Sequence, residues 1–192
     1  MAVLSRIQGP AAAAMLRLWL LLILVAPGAR AQDAAPGEYE VKAAFLFNFA
    51  KFVEWPAAKL TTNNAPIRFG VFGRSESFVG DFRKTLDGKS IDTHPVQLEF
   101  YEDSIPSEAP HILFVCKSER RNFRRIVNSL HGQPALTVSE DDGFCEAGGM
   151  INFRLDGKKI RFEINQKAAE QNQLRLSSKL LRVALRIVET QN

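Results

Sequence analysis

Residues 111–139 read His-Ile-Leu-Phe-Val-Cys-Lys-Ser-Glu-Arg-Arg-Asn-Phe-Arg-Arg-Ile-Val-Asn-Ser-Leu-His-Gly-Gln-Pro-Ala-Leu-Thr-Val-Ser. Ile112 to Val115 is a short, unbroken apolar run, the pattern of a strand covered on both faces. Ser118 offers a cap for a helix from Glu119 to Leu130, in which Phe123, Ile126, Val127 and Leu130 fall on one face. Ala135 to Val138 is a second short strand. A strand, a helix and a strand in so short a span imply parallel pairing with a right-handed crossover.

Working outward, Ile67–Phe72 and Val96–Tyr101 read as strands, with Ser77–Leu86 a helix between them closed by Asp87-Gly88. Towards the amino end, Glu38 to Trp55 reads as a buried, Phe-rich helix. Its face is Val41, Ala44, Phe45, Phe49, Phe52 and Val53, with Lys42, Asn48, Lys51 and Glu54 polar, and Pro56 ends it. Towards the carboxyl end, Met150–Leu155 and Lys159–Ile164 form a hairpin about Asp156-Gly157. Asn165 then caps a short helix to Gln171, and Ser177 or Ser178 opens a last amphipathic helix to Val188. The expected fold is a single α/β domain. It has a mainly parallel sheet flanked by helices, a carboxyl-terminal antiparallel hairpin at one edge, and a terminal helix.

The first residues are of another kind. Arg6 and Arg17 precede the apolar run Leu18–Ala26, Pro27-Gly28 breaks it, and Ala29-Arg30-Ala31 carries the small residues a signal peptidase reads. We read 1–31 as a cleavable signal peptide, 32–37 as a flexible lead-in and 38–190 as the domain, so the expected mature product is a soluble exported chain. The run is short for a membrane span, and a retained anchor is the alternative.

The chain has 192 residues, with 25 basic and 21 acidic side chains. Arg6, Arg17 and Arg30 are the only charges in 1–31, so cleavage leaves 22 basic against 21 acidic. The basic balance of the whole chain therefore does not argue for nucleic acid. Cys116 and Cys145 are the 2 cysteines. An even count in an oxidising compartment invites a disulfide, and two separate buried thiols are the alternative.

The run Tyr39–Pro56, the strand Ile67–Gly73, and the segments His111–Val115 and Leu136–Ser139 resemble the YfiR family. The resemblance is strongest in Gly148-Gly149-Met150-Ile151-Asn152-Phe153 and Arg161–Asn165, and Leu176–Leu181 completes it. It implies a periplasmic protein that restrains an inner-membrane diguanylate cyclase through that enzyme's periplasmic part. Cytoplasmic cyclic di-GMP, and with it biofilm formation, would then stay low. A membrane sensor kinase is the other partner the resemblance implies, and a homodimer is compatible with it. No catalytic residues come with the family. Its best-known member has two disulfides, whereas here Cys116 and Cys145 allow one at most, so redox control transfers weakly.

Four places in the sequence are candidates for function. If the strands ending at Val115 and Ser139 are parallel neighbours, Cys116 and Cys145 lie at the same end of the sheet, within reach of a bridge. Gly73, Arg74 and Ser75 follow a strand at the carboxyl edge, where open α/β sheets hold ligands, so they are candidates for a small-molecule or anion pocket. Arg120, Arg121, Arg124 and Arg125 form a basic cluster suited to an acidic partner surface or anionic headgroups. Glu140-Asp141-Asp142 reads as a solvated acidic loop without calcium-loop spacing. His94, His111 and His131 are scattered, and His111 reads as structural. No nucleophile–base pair or metal set appears, so the expectation is a protein without enzymatic activity, cofactor or metal. The leading reading is a regulator that binds a membrane partner; a periplasmic small-molecule-binding protein is the alternative.

Overall fold

The computed structural model describes residues 37–60, 62 and 64–188. The expected signal peptide and all of the lead-in except Gly37 lie outside the described residues. Among the described residues no helix is long and apolar enough to cross a membrane.

The domain is a mixed α/β fold in which helices flank a mostly parallel sheet. Helix α1 (Glu38–Lys51) leads to a two-residue strand β1 (Val53–Glu54) and then to β2 (Ile67–Phe72), α2 (Glu76–Leu86), β3 (Ser90–Ile91) and β4 (His94–Tyr101). Strand β5 (Ile112–Val115), a 3₁₀ turn (Lys117–Asn122), α3 (Phe123–Ser129) and β6 (Leu136–Ser139) follow. The chain then runs through β7 (Ile151–Asp156), β8 (Lys159–Ile164), α4 (Gln166–Gln171), β9 (Arg175–Leu176), α5 (Ser178–Val183) and β10 (Arg186–Ile187).

The main sheet runs β10-β8-β7-β6-β5-β2-β4-β3. Strands β4, β2, β5, β6 and β7 are mutually parallel, with Phe69 opposite Ile112 and Ile112 opposite Leu136. The strand–helix–strand reading of residues 111–139 therefore holds. It holds because Ile112–Val115 and Leu136–Ser139 are buried along their whole length, which is what a continuous apolar run demands. On one face of the sheet α1, α2, α4 and α5 enclose the larger core, including Leu46, Phe49, Phe69, Phe78, Phe82 and Phe114. On the other, α3 and the loop after β6 enclose a smaller core with Phe123 edge-on to Phe144, ring centroids 4.9 Å apart.

Five details correct the sequence reading. First, α1 ends at Lys51 rather than Trp55, because Val53 and Glu54 pair with Leu176 and Arg175 and the Ser177 N–H bonds the Phe52 carbonyl. Second, the face of α1 turned inward is Lys42, Ala43, Leu46, Phe49 and Ala50, while Ala44 is exposed. Third, the segment 119–130 divides into a 3₁₀ turn and a short helix. Ser118 caps neither; its Oγ accepts the Arg74 N–H at 3.0 Å.

Fourth, α5 stops at Val183. Leu185 N–H then bonds the Phe162 carbonyl and Arg186–Ile187 pair in parallel with β8. Fifth, β10 therefore lies outside the β7–β8 hairpin, which is not the edge, and β3–β4 closes the opposite edge antiparallel. The two caps read from the sequence at the carboxyl end are present: Asn165 accepts from Ala168 N–H at 3.0 Å and Ser177 from Leu180 N–H at 3.3 Å.

Candidate functional site

The parallel strands end on one side of the sheet, and the loops after β2, β5 and β6 meet there. Chain order places β4 and β5 on opposite sides of β2, so the usual ligand crevice of such a sheet lies between the ends of β2 and β5. Here protein fills it. Gly73 has φ +94°, and a Cβ at that position would lie 2.6 Å from Ser118 Oγ and 2.8 Å from Glu119 Cγ. Glycine is thus needed both for its conformation and for the approach of the two loops. The N–H groups that would greet an anion are taken: Gly73 bonds the Tyr101 carbonyl and Arg74 bonds Ser118 Oγ.

Gly73, Arg74 and Ser75 do line a cleft, of about 430 Å³, but it opens towards β4. Its wall is Phe100 with the Arg83 guanidinium 4.2 Å above the ring, and Arg74 pairs with Glu102 at 3.2 Å. Such a surface suits a small planar or anionic molecule more than a phosphate cradle.

The four arginines do not form one patch. Arg120, Arg121 and Arg124 line a cleft of about 360 Å³ facing Asp142 and Glu146. Arg125 faces a separate hollow beside Phe72 and Ile105. The 3₁₀ turn advances side chains by about 120° per residue against about 100° in the α-helix, which spreads the cluster. The acids at the first cleft are already engaged. Arg120 pairs with Asp141 at 3.3 Å, Arg154 with Asp142, and Arg186 with Glu146 at 3.1 Å. Among the described residues Arg121, Arg124 and Arg125 form no ion pair, so Arg121 and Arg124 are the free cations at the first cleft.

Cys116 and Cys145 are both buried and unbridged, contrary to the expected disulfide. The premise that β5 and β6 are parallel neighbours is correct. However, the loop after β6 carries Cys145 across β7, and its Sγ lies 3.9 Å from the Glu163 carbonyl on β8. Strands β6 and β7 stand between β8 and β5, where Cys116 sits. Three strand spacings are about 14 Å, against a Cα separation of roughly 5.5 Å in a disulfide. Burial, reinforced by Glu140 and Glu119, pushes the Cys116 thiol up to about 12, and burial with Glu163 nearby raises Cys145 as well. Both behave as inert apolar groups at neutral pH.

The sequence reading missed the densest polar cluster at this edge. Lys42, a polar position on α1, is buried. Its ammonium donates to Glu38 one turn earlier and to Glu140 just after β6. Tyr39 Oη donates to the same Glu140 carboxylate at 3.3 Å, and Lys117 lies 3.8 Å from it. Burial opposes the charge on Lys42, but the hydrogen bonds it donates to the two carboxylates outweigh it and its pKa is raised. The acidic loop is therefore not wholly solvated: the Glu140 and Asp141 side chains are largely buried, and only Asp142, paired with Arg154, is exposed. The sole local sign was the Glu38–Lys42 spacing of one helical turn. The rest of the loop is held by Phe144, which packs so closely on Gly149 that a Cβ there would lie 2.2 Å from the ring, and by Asn165 Nδ2, which donates to the Cys145 carbonyl at 3.0 Å.

His111 sits at the opposite, amino end of β5. Its Nδ1 accepts the Arg68 N–H at 3.1 Å, and its ring stands edge-on to Trp55 at 5.3 Å. Burial, with Lys59 and Arg68 nearby, lowers its pKa to about 4, so the ring is neutral. Among the described residues no group of His, Cys, Asp and Glu could hold a metal ion.

Comparison with known proteins agrees with this architecture. A family profile described as YfiR/HmsC-like matches residues 39–185. A conserved domain protein from Vibrio cholerae superposes with TM-score 0.58 at 10% identity, over 79% of this chain and 60% of that one. The ABC domain in complex with L-Trp from Streptococcus pneumonia superposes with TM-score 0.52 at 13% identity, over 63% of this chain and 55% of that one. The chain thus spans little more than half the length of these solved structures, and at such identity they show the fold alone.

Proposed function

The chain belongs to the YfiR/HmsC-like family, and from that premise we propose that it is a periplasmic regulator that binds and restrains an inner-membrane signalling partner, a diguanylate cyclase. The observation that carries this is the family match over almost the whole folded domain, joined to the leader pattern of residues 1–31. In this reading residues 1–31 are removed on export. The protein does not meet cyclic di-GMP itself; it lowers the cytoplasmic level, and with it biofilm formation, by favouring the inactive state of a partner that crosses the membrane. It acts by binding and not by catalysis. Arg121 and Arg124, left without ion pairs beside the engaged acidic loop, are candidates for contact with an acidic partner surface.

Capture from envelope extract tests this. The mature protein should retain a membrane protein with a cytoplasmic cyclase domain. Retention of a histidine kinase instead would transfer the regulator to the other signalling class.

One feature favours a second reading, a sensory small-molecule-binding role: the cleft beside Phe100, Arg83 and Arg74. A thermal-shift screen of small anions and aromatic metabolites would reveal it as stabilisation of wild type that Arg83→Ala abolishes.

A further inference from the structure

The β10 edge of the sheet combines two features that complement each other. On the helix-covered face, rows of apolar side chains step outward past the last helix. Ile151 lies opposite Ile164, which lies beside Ile187. Phe153 lies opposite Phe162, whose carbonyl accepts the Leu185 N–H. Leu155 lies opposite Ile160. At the β10 edge Leu185 is 44% and Ile187 41% exposed, Val183 just before them is 58% exposed, and Ile160 at the outer end of the third row is half-buried. Leu185 and Ile187, two residues apart in the extended segment after α5, share one face.

The opposite face of the same strands is cationic. Arg154 lies directly opposite Arg161, an unfavourable cross-strand pairing of like charges. Arg154 is neutralised by Asp142 and Glu163, and Arg186 by Glu163 and Glu146. Arg161, Lys158 and Lys159 have no ion-pair partner among the described residues. No strand pairs with β10 on its outer side among the described residues.

We infer that this edge binds an extended segment of a partner protein in which apolar and acidic side chains alternate. Added beside β10, such a segment would lay its apolar side chains against Leu185 and Ile187 and its carboxylates towards the unpaired Arg161 and Lys159. That arrangement gives main-chain pairing its side-chain specificity. An anionic membrane would satisfy the cations but not the alternation, because the apolar rows run along the strand edge. The inference rests on the proposed regulator function only for where the partner resides; the surface is testable without it.

The probes are a fluorescent nine-residue peptide alternating valine and glutamate, a peptide of the same composition with its glutamates in one block, and vesicles of phosphatidylethanolamine and phosphatidylglycerol. Mature wild-type protein should bind the alternating peptide at least about tenfold more tightly than the block peptide. Amide exchange at 185–187 should slow in that complex. Lys159→Glu with Arg161→Glu should weaken binding by about tenfold or more, and Leu185→Asp should remove the selectivity. All three positions are exposed or half-exposed, and urea unfolding checks that the variants fold.

Equal affinity for the two peptides would overturn the inference in favour of charge attraction alone. Binding only to vesicles would overturn it in favour of a lipid surface. A concentration-dependent dimer with the same amides protected and no peptide bound would overturn it in favour of a second copy, and binding of no probe would overturn it outright. If deleting the gene leaves cyclic di-GMP unchanged, the regulator reading fails and the peptide result stands by itself. If deletion raises cyclic di-GMP and Leu185→Asp restores it fully, the regulator reading survives and the inferred edge is wrong.

Discussion

Lys42 and Glu140 lie 98 residues apart in the chain and join the first helix to the carboxyl edge of the sheet through a direct hydrogen bond, each side chain only 4% exposed. Removing one partner leaves the other's charge buried without its main counter-charge, which typically costs about 3–5 kcal/mol. Lys42→Met and Glu140→Leu should each destabilise to about that extent in urea unfolding. The double variant should lose less than the sum by at least about 1 kcal/mol. Strict additivity would show that the pair does not couple α1 to the sheet.

His111 supplies a pH dependence of known sign. Its folded-state pKa is depressed to about 4 from an ordinary 6.5, so the unfolded chain binds the proton more readily between those values. The stability associated with the neutral ring is complete above about pH 6.5 and is lost as pH falls towards 4. The total is on the order of 3 kcal/mol. His111→Gln should flatten this part of the stability–pH curve, measured as the difference from wild type at each pH. An unchanged slope between pH 4 and 6.5 would assign the dependence to other groups.

Gly73→Ala should lower stability by roughly 1–3 kcal/mol, because alanine pays for positive φ and its methyl meets the Ser118 and Glu119 side chains. Thermal unfolding checks this. Adding Ser118→Ala relieves the contact but not the dihedral, so rescue should be partial; full rescue would mean that crowding alone selects glycine.

Cys116 and Cys145 should both be free. Intact mass without reductant should match two thiols, alkylation of the native protein should be slow, and dithiothreitol should leave the melting temperature unchanged. A mass lower by two hydrogens would show a rearranged loop after β6.

The readings that succeeded rest on signals carried within one segment. Ile112–Val115 is an unbroken apolar run and Leu136–Ser139 a short buried one, Asp156-Gly157 is a turn with its own chemistry, and Asn165 caps the helix that starts beside it through Ala168. The failures all involve partners distant in sequence. Val53-Glu54 continue a plausible helical pattern until Arg175 and Leu176 arrive to pair with them. The segment Leu181–Val188 satisfies helical spacing through Leu181, Ala184 and Val188, and strand spacing through Val183, Leu185 and Ile187. The hydrogen bond from Leu185 to Phe162 decides between them. Lys42 looked like any solvated helix lysine because nothing near it announces Glu140. At the candidate sites the residue types were legible, but their grouping was not. The division of Arg125 from Arg120, Arg121 and Arg124, and the passage of Cys145 over β7, follow from loop paths that no local pattern encodes.

The central claim is restraint of a membrane cyclase from outside the cytoplasm, and the direct measurement is cellular cyclic di-GMP in a strain lacking this chain. The account predicts a rise on deletion that is reversed by the full-length chain and not by one lacking residues 2–31. An unchanged level on deletion, or equal reversal by the chain lacking its leader, would contradict it.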